Sequence, residues 1–158
     1  MLALTLKHPW PFAVCRLEKR IENRTWAPRR QSLPVGEWFA IHGGAMPRRY
    51  DLKETAYQAR ALIAAHRKAL VLAEGEDVTL RDVLGYRGVV AVCRFGGIVR
   101  NGESGSEDPW FEGPIGWRLE KLVVLPEPVP CPGSQGLWPL PEVVLASVRE
   151  QYRRALSA

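Results

Sequence analysis

Cysteine is scarce in this chain, with three residues among 158, at positions 15, 93 and 131. An odd, widely spaced set makes neither a disulfide framework nor a zinc pattern, and it points to a reducing compartment and a cytoplasmic location. Histidine is equally sparse, with three residues and no pair at ligand spacing, so no metal and no other cofactor is expected. No apolar run approaches the roughly 20 residues of a membrane span, so no membrane partner is expected either. The opening MLALTLKHPWPF lacks the basic region and long apolar stretch of a signal peptide. Gly43-Gly44 and Gly96-Gly97 are too short and wrongly flanked for a phosphate-binding glycine loop. Ser104 and Ser106 sit in no nucleophile elbow, and no segment repeats.

What is present fits one globular domain over residues 1–158: the composition is 46% hydrophobic and 25% charged, at about the modal domain size. The charge is lopsided. The first 50 residues carry nine of the 22 Lys and Arg but only three of the 17 Asp and Glu, while the rest of the chain is nearly balanced. A one-sided positive field favours phosphate-bearing partners; a basic solvated surface is the bland alternative.

The pattern predicts a mixed, mostly antiparallel sheet of five or six strands with helices outside it. Strands are expected at 3–6, 35–42, 87–95, 116–125 and 136–140, with an extended stretch at 20–26. A helix over 11–17 follows Pro9, with His8 expected to cap it. The longest helix is expected from Asp51 to Ala73, with Asp51 and Glu54 as a capping box and Gly75 as the stop. Its apolar stripe runs through Leu52, Ala56, Ala59, Ile63, His66, Leu70 and Ala73, which makes His66 a core or boundary residue. A short helix capped by Thr79 is expected over 79–84, and a surface helix over 141–155. Residues 100–109 read as a mobile loop. Pro126, Pro128, Pro130 and Pro132 demand an edge or a turn-rich excursion.

The cluster with the most chemistry is Lys19-Arg20-Ile21-Glu22-Asn23-Arg24-Thr25-Trp26. In an extended segment Arg20, Glu22 and Arg24 share one face, which flanks a carboxylate with two guanidiniums. Lys19, at the helix-to-strand corner, can join them. The cations suit a phosphate, Glu22 suits a base edge, and Trp26 offers a stacking surface. A ladder of surface ion pairs is the competing reading. His42 ends a strand, as a cleft residue or as a packed histidine bonded to a carbonyl. Six tryptophans raise the prospect of an aromatic cage. Trp10, Trp26 and Trp117 are the cleft candidates, Trp38 reads as core, Trp138 as a packing anchor, and Trp110-Phe111 as an exposed contact surface.

The same stretch resembles the Gly-x-Lys-x-x-Glu-x-Arg signature of ASCH domains, a branch of the PUA-like superfamily that includes the YTH and EVE modified-base readers. Lys19, Glu22 and Arg24 fall on its last three fixed positions. His8-Pro9-Trp10 is similar to the family's opening His-Pro-Trp, and Ala40-Ile41-His42 to the Ile-His that closes its second main strand. Arg87 to Val90 and Gly116 to Leu119 resemble its later strands, and Pro128 to Cys131 with Gly136 to Trp138 its C-terminal block. The likeness runs in order over residues 3–142. One position departs: the signature glycine is Leu17, a residue that tolerates positive φ poorly, so the corner is expected to differ slightly.

The resemblance implies an α+β fold, a PUA-like mixed β-barrel of five to six strands with flanking helices. It implies an RNA- or nucleotide-binding module in which Lys19, Glu22, Arg24, Trp26 and His42, with Trp10 and Trp117, surround one concave cleft. Arg29 and Arg30, with Arg48 and Arg49, would hold the phosphate backbone. It also permits a hydrolase that acts on RNA or on N4-acylated cytidines with Lys19 and Glu22 as catalytic residues. The amidohydrolase pattern is Lys-x-x-Thr, however, and its threonine position is Glu22 here. A protein-interaction domain using Trp110-Phe111 is the remaining alternative. The expected partner is RNA or a nucleotide, with the oligomeric state open between monomer and weak dimer.

Overall fold

The computed structural model describes residues 1–29, 31–72 and 76–157. Six strands run in the order β2-β5-β4-β3-β1-β6. They are β1 (Leu2–Leu6), β2 (Ile21–Arg24), β3 (Trp38–Gly43), β4 (Gly88–Arg100), β5 (Ile115–Val129) and β6 (Leu137–Pro139). β1 and β3 are parallel and every other pair is antiparallel. The sheet curls into a half-barrel, flanked by α1 (Trp10–Arg16), α2 (Asp51–Ala65), α3 (Leu80–Leu84) and α4 (Glu142–Ser157). The protein is α+β, with the architecture of a PUA-like barrel with flanking helices.

Strand alternation assigns the two faces. Leu4, Leu6, Phe39, Ile41, Val90, Phe95 and Trp117 point into the concave core. Ala3, Ala40, Val89, Val92 and Trp138 point the other way, where Leu145 and Val148 of α4 cover them. Both faces of β4 are therefore buried along its first half, which is why that strand is nearly all apolar. Trp38 lies on the α4 face, half-buried, with its ring edge-on to Tyr152 at 5.8 Å. A third apolar cluster joins α1 to α2 through Phe12, Ala13, Ala59 and Trp110. At Gly43 the Tyr86 carbonyl oxygen comes so near that a Cβ would lie 1.7 Å from it, so only glycine fits that crossing.

Several elements differ from the sequence expectation. α2 ends at Ala65 rather than 73, because His66 leaves helical geometry (φ −117°, ψ 24°) and lays its ring on Trp110. A single 3₁₀ turn, Arg67–Ala69, follows. Ala73 and Gly75, the expected end and stop, lie outside the described residues. Tyr50, not Asp51, is the N-cap, and no side chain caps the helix; Asp51 and Glu54 sit in its first turn. Thr79 forms its expected cap as a full capping box with Asp82.

The prolines at 126 and 128 do not interrupt β5, which runs on to Val129. β2 pairs only with residues 115–118, so the outer side of β5 is an edge by the time the prolines arrive, and no ladder donor is lost. The Glu127 amide there donates to Gln151 of α4 instead. Residues 101–110 form a run of turns in which the Arg100 amide donates to Glu103 and Arg118 donates to the Ser104 carbonyl.

Candidate functional site

The corner between α1 and β2 shapes the site. Leu17 keeps an ordinary φ of −113° and buries its side chain in the core. The left-handed residue is the next one, Glu18 (φ 58°), which is exposed. No glycine is needed at position 17, since the positive φ of this corner falls on Glu18. That turn drives Lys19 inward, where it is 2% exposed, with its amide held by the Ala13 carbonyl at 3.2 Å.

Burying an ammonium is costly unless it is paired and hydrogen-bonded. Lys19 Nζ donates to the Ile21 carbonyl and, at 2.9 Å, to Glu22 Oε2. It also lies 5.6 Å from the Trp10 ring centroid, within cation–π range. The other carboxylate oxygen of Glu22 takes Arg24 Nη2 at 3.1 Å. The same guanidinium donates to the Thr5 carbonyl at 3.1 Å, which ties β2 to β1 across the opening of the half-barrel. Lys19, Glu22 and Arg24 therefore form one linked triad, buried at Lys19 and Glu22 and half-buried at Arg24, with a net formal charge of one.

Arg20, expected beside Glu22, is not part of this triad. It precedes β2, and its guanidinium donates to the Val14 and Lys19 carbonyls at 3.0 and 3.2 Å. Lys19 takes the place assigned to it.

A pocket of about 230 Å³ opens on two members of this triad, Lys19 and Glu22, and is lined also by Trp10, Asn23 and Glu112. Asn23 holds its shape: Nδ2 donates to the Trp110 carbonyl at 2.8 Å, and Oδ1 accepts the Glu112 amide at 3.0 Å. Glu112, exposed, sits at the rim. Neither Asn23 nor Glu112 was singled out by sequence reasoning. Asn23 lay inside the recognised stretch without a role. Glu112 follows a turn-rich region, and only the long-range bond to Asn23 brings it to the site.

Of the three tryptophans expected in the cleft, Trp10 alone lines the pocket. Trp117 is fully buried, with the rings of Trp26, Phe39 and Phe95 around it at 4.9, 6.3 and 5.6 Å. It stands directly across the ladder from Glu22, so its ring fills the core beneath the triad and no ligand can stack on it. Trp26, half-buried, packs edge-on against Trp117, and its carbonyl accepts the Trp117 indole N–H at 3.1 Å. Trp110, expected at the surface, is 8% exposed and stacks on His66 at 3.9 Å. Arg29 is exposed on the loop after β2; Arg30 lies outside the described residues.

His42 does not join the triad. Ile41 faces the concave core, so its neighbour His42 faces the α4 side, edge-on to Trp138 at 5.4 Å. Its Nε2 pairs with the Cys131 carbonyl at 3.0 Å. His8 likewise caps no helix; it is buried, with Nε2 3.2 Å from the Gly44 carbonyl. Burial lowers the pKa of both rings below 6.5, partly offset by those carbonyl bonds. The folded protein therefore binds fewer protons than the unfolded chain as the pH falls below 6.5, and stability drops with it. Melting temperatures at pH 7.5 and 5.5 should show that fall, and His42→Gln should lessen it. An identical pH dependence in wild type and variant would remove His42 as a source.

No thiol nucleophile is poised in this fold. Burial pushes the Cys15 thiol up to about 12 and raises Cys93 further, so both pack as small apolar groups. Among the described residues no group of His, Cys, Asp and Glu is placed to hold a metal ion, and no helix is long and apolar enough to cross a membrane. Compared with known proteins, the sequence matches no family model and no curated protein.

Proposed function

We propose that this chain is an RNA- or nucleotide-binding module of the ASCH type, whose pocket beside Trp10 takes a single base. One observation carries the reading: the Trp10 ring stands next to the buried Lys19–Glu22 pair in a pocket only about 230 Å³ in size, with Arg24 pairing Glu22 from outside it. That volume is below the roughly 300 Å³ where drug-sized sites begin, and it suits one planar ring system. Trp10 supplies a stacking face. Glu112 and Glu22 supply acceptors for a base edge that carries N–H donors, and Asn23 keeps the rim in place. The exposed Arg29, Arg48 and Arg49 remain for the phosphates.

The hydrolase alternative has less support. Lys19 commits two of its three N–H groups to Ile21 and Glu22, and no hydroxyl lines the pocket. Thr25, the threonine next to the triad in sequence, is exposed and does not line the pocket. His42, needed as acid or base for RNA cleavage, lies on the opposite face of the sheet. The protein-interaction reading loses its exposed aromatic, because Trp110 is buried.

Titration with the common nucleosides and with N4-acetylcytidine, followed by tryptophan fluorescence, tests the proposal. At least one base bearing N–H donors on its edge should give saturable quenching with no product formed. Glu112→Ala should weaken that base about tenfold, the cost of losing one good base contact. No quenching by any nucleoside at millimolar concentration would sink the pocket reading, and rapid release of cytidine from the acetylated substrate would establish the hydrolase instead.

A further inference from the structure

Two tyrosines face solvent along α2, Tyr50 at its N-cap with 69% exposure and Tyr57 within it with 71%. Core-facing helices do not usually carry such residues on the outer side, where polar residues belong. Their spacing is regular: Tyr50, Tyr57 and Ala64 are seven residues apart and form one line along the helix. The opposite side buries Thr55 and Ala59. Lys53 and Arg60, both exposed, flank the tyrosine line on one side. On the other, Glu54 is occupied by Gln58, whose amide donates to it at 3.0 Å. Arg48 and Arg49 precede the line, and Arg67 and Lys68 follow it.

The line leads somewhere. Ala64 and the turn after α2 form one wall of a cavity of about 820 Å³, whose other walls are Leu17-Glu18 and Asp108 to Trp110. Glu18 is the neighbour of Lys19, and Trp110 is bonded through its carbonyl to Asn23. The large cavity and the pocket beside Trp10 are thus lined by residues that are neighbours along the chain at 18–19 and are bonded between Trp110 and Asn23. Arg67 and Lys68 are its cations; Glu18 and Asp108 are its acids.

We infer that the outward face of α2 is a track for single-stranded RNA that runs from Tyr50 to the cavity beside the base pocket. Aromatic rings with flanking cations are what unpaired bases and their phosphates require, and a duplex would hide the faces that tyrosines stack on. A helix of 15 residues spans about 22 Å, enough for a few nucleotides beyond the one in the pocket. The inference takes its end point from the nucleotide reading of the pocket, but the stacking line stands on its own residues.

Labelled single-stranded RNAs of mixed sequence, from one to about eight nucleotides, provide the test by fluorescence anisotropy. Affinity should climb with length. Tyr50→Ala with Tyr57→Ala should abolish most of that climb, about fivefold or more per tyrosine, and leave mononucleotide binding unchanged. Both side chains are exposed, so the melting temperature of the variant should match the wild type. Lys53→Ala with Arg60→Ala, two cations removed, should lower the salt slope of the longer strands by about 1.4. Affinity that is flat with length, or a climb untouched in the tyrosine variant, overturns the track whatever the mononucleotide does. A climb that depends on the tyrosines while mononucleotides fail to bind would keep the track and discard the base pocket.

Discussion

Glu22→Ala should cost about 3–5 kcal/mol of unfolding free energy, the usual cost of breaking a buried ion pair from one side. Glu22 is 6% exposed and joins two cations, with Lys19 Nζ at 2.9 Å and Arg24 Nη2 at 3.1 Å. Its removal leaves the Lys19 ammonium, 2% exposed, with only the Ile21 carbonyl and the Trp10 ring. Arg24 suffers less, since its side chain is 24% exposed and keeps the Thr5 carbonyl. Lys19→Met is the informative contrast. It fills similar volume with apolar atoms and leaves Glu22 compensated by Arg24, so its loss should be clearly smaller. The double variant Lys19→Met, Glu22→Ala should regain part of the Glu22→Ala loss, because the uncompensated ammonium is gone. Urea unfolding of the four proteins measures this. Equal losses for the two single variants, with no recovery in the double, would mean that the three residues do not act as a unit.

The order of strands and helices was legible because each element announces itself locally. β4 reads as a strand from its unbroken apolar run, α3 from its Thr79 cap, and the site from Lys19, Glu22 and Arg24 spaced around a corner. What escaped was whatever depends on the register between distant strands. His42 was expected beside Lys19 in one cleft because Ile41-His42 and the Lys19 stretch both resemble blocks of one family. Their separation follows from Ile41 facing the concave core, a fact set by the pairing of β3 with β4 and not by β3 alone. Trp117 misled for the same reason: only the ladder partner Glu22 shows that its ring points beneath the triad. Arg20 was assigned to the carboxylate on strand parity, but the strand begins one residue later, after the turn at Glu18. Glu112 carries no local signal, and a single bond from its amide to Asn23, 89 residues away, puts it at the rim. Trp110 looked exposed beside a polar loop, yet it ends α2 by stacking on His66.

The tryptophans should separate cleanly in a matched pair of variants. Trp117→Ala should lose about 3–5 kcal/mol, the range for deleting a large buried aromatic. Nothing around that site can collapse cheaply: three aromatic rings contact it, and its indole N–H bonds the Trp26 carbonyl, so truncation leaves both a void and an unpaired acceptor. Trp10→Ala removes a ring that is only half-buried at the start of α1, so the fold should lose less. The ligand should feel the reverse. Losing the Trp10 face takes away the stacking surface, about 1–3 kcal/mol of base affinity, while folded Trp117→Ala protein, studied below its lowered transition, should keep most of its binding. Calorimetric titration is the suitable readout, because it needs no tryptophan signal. A Trp10→Ala protein that binds nucleosides as the wild type does would mean that this ring only packs against Lys19 and touches no base.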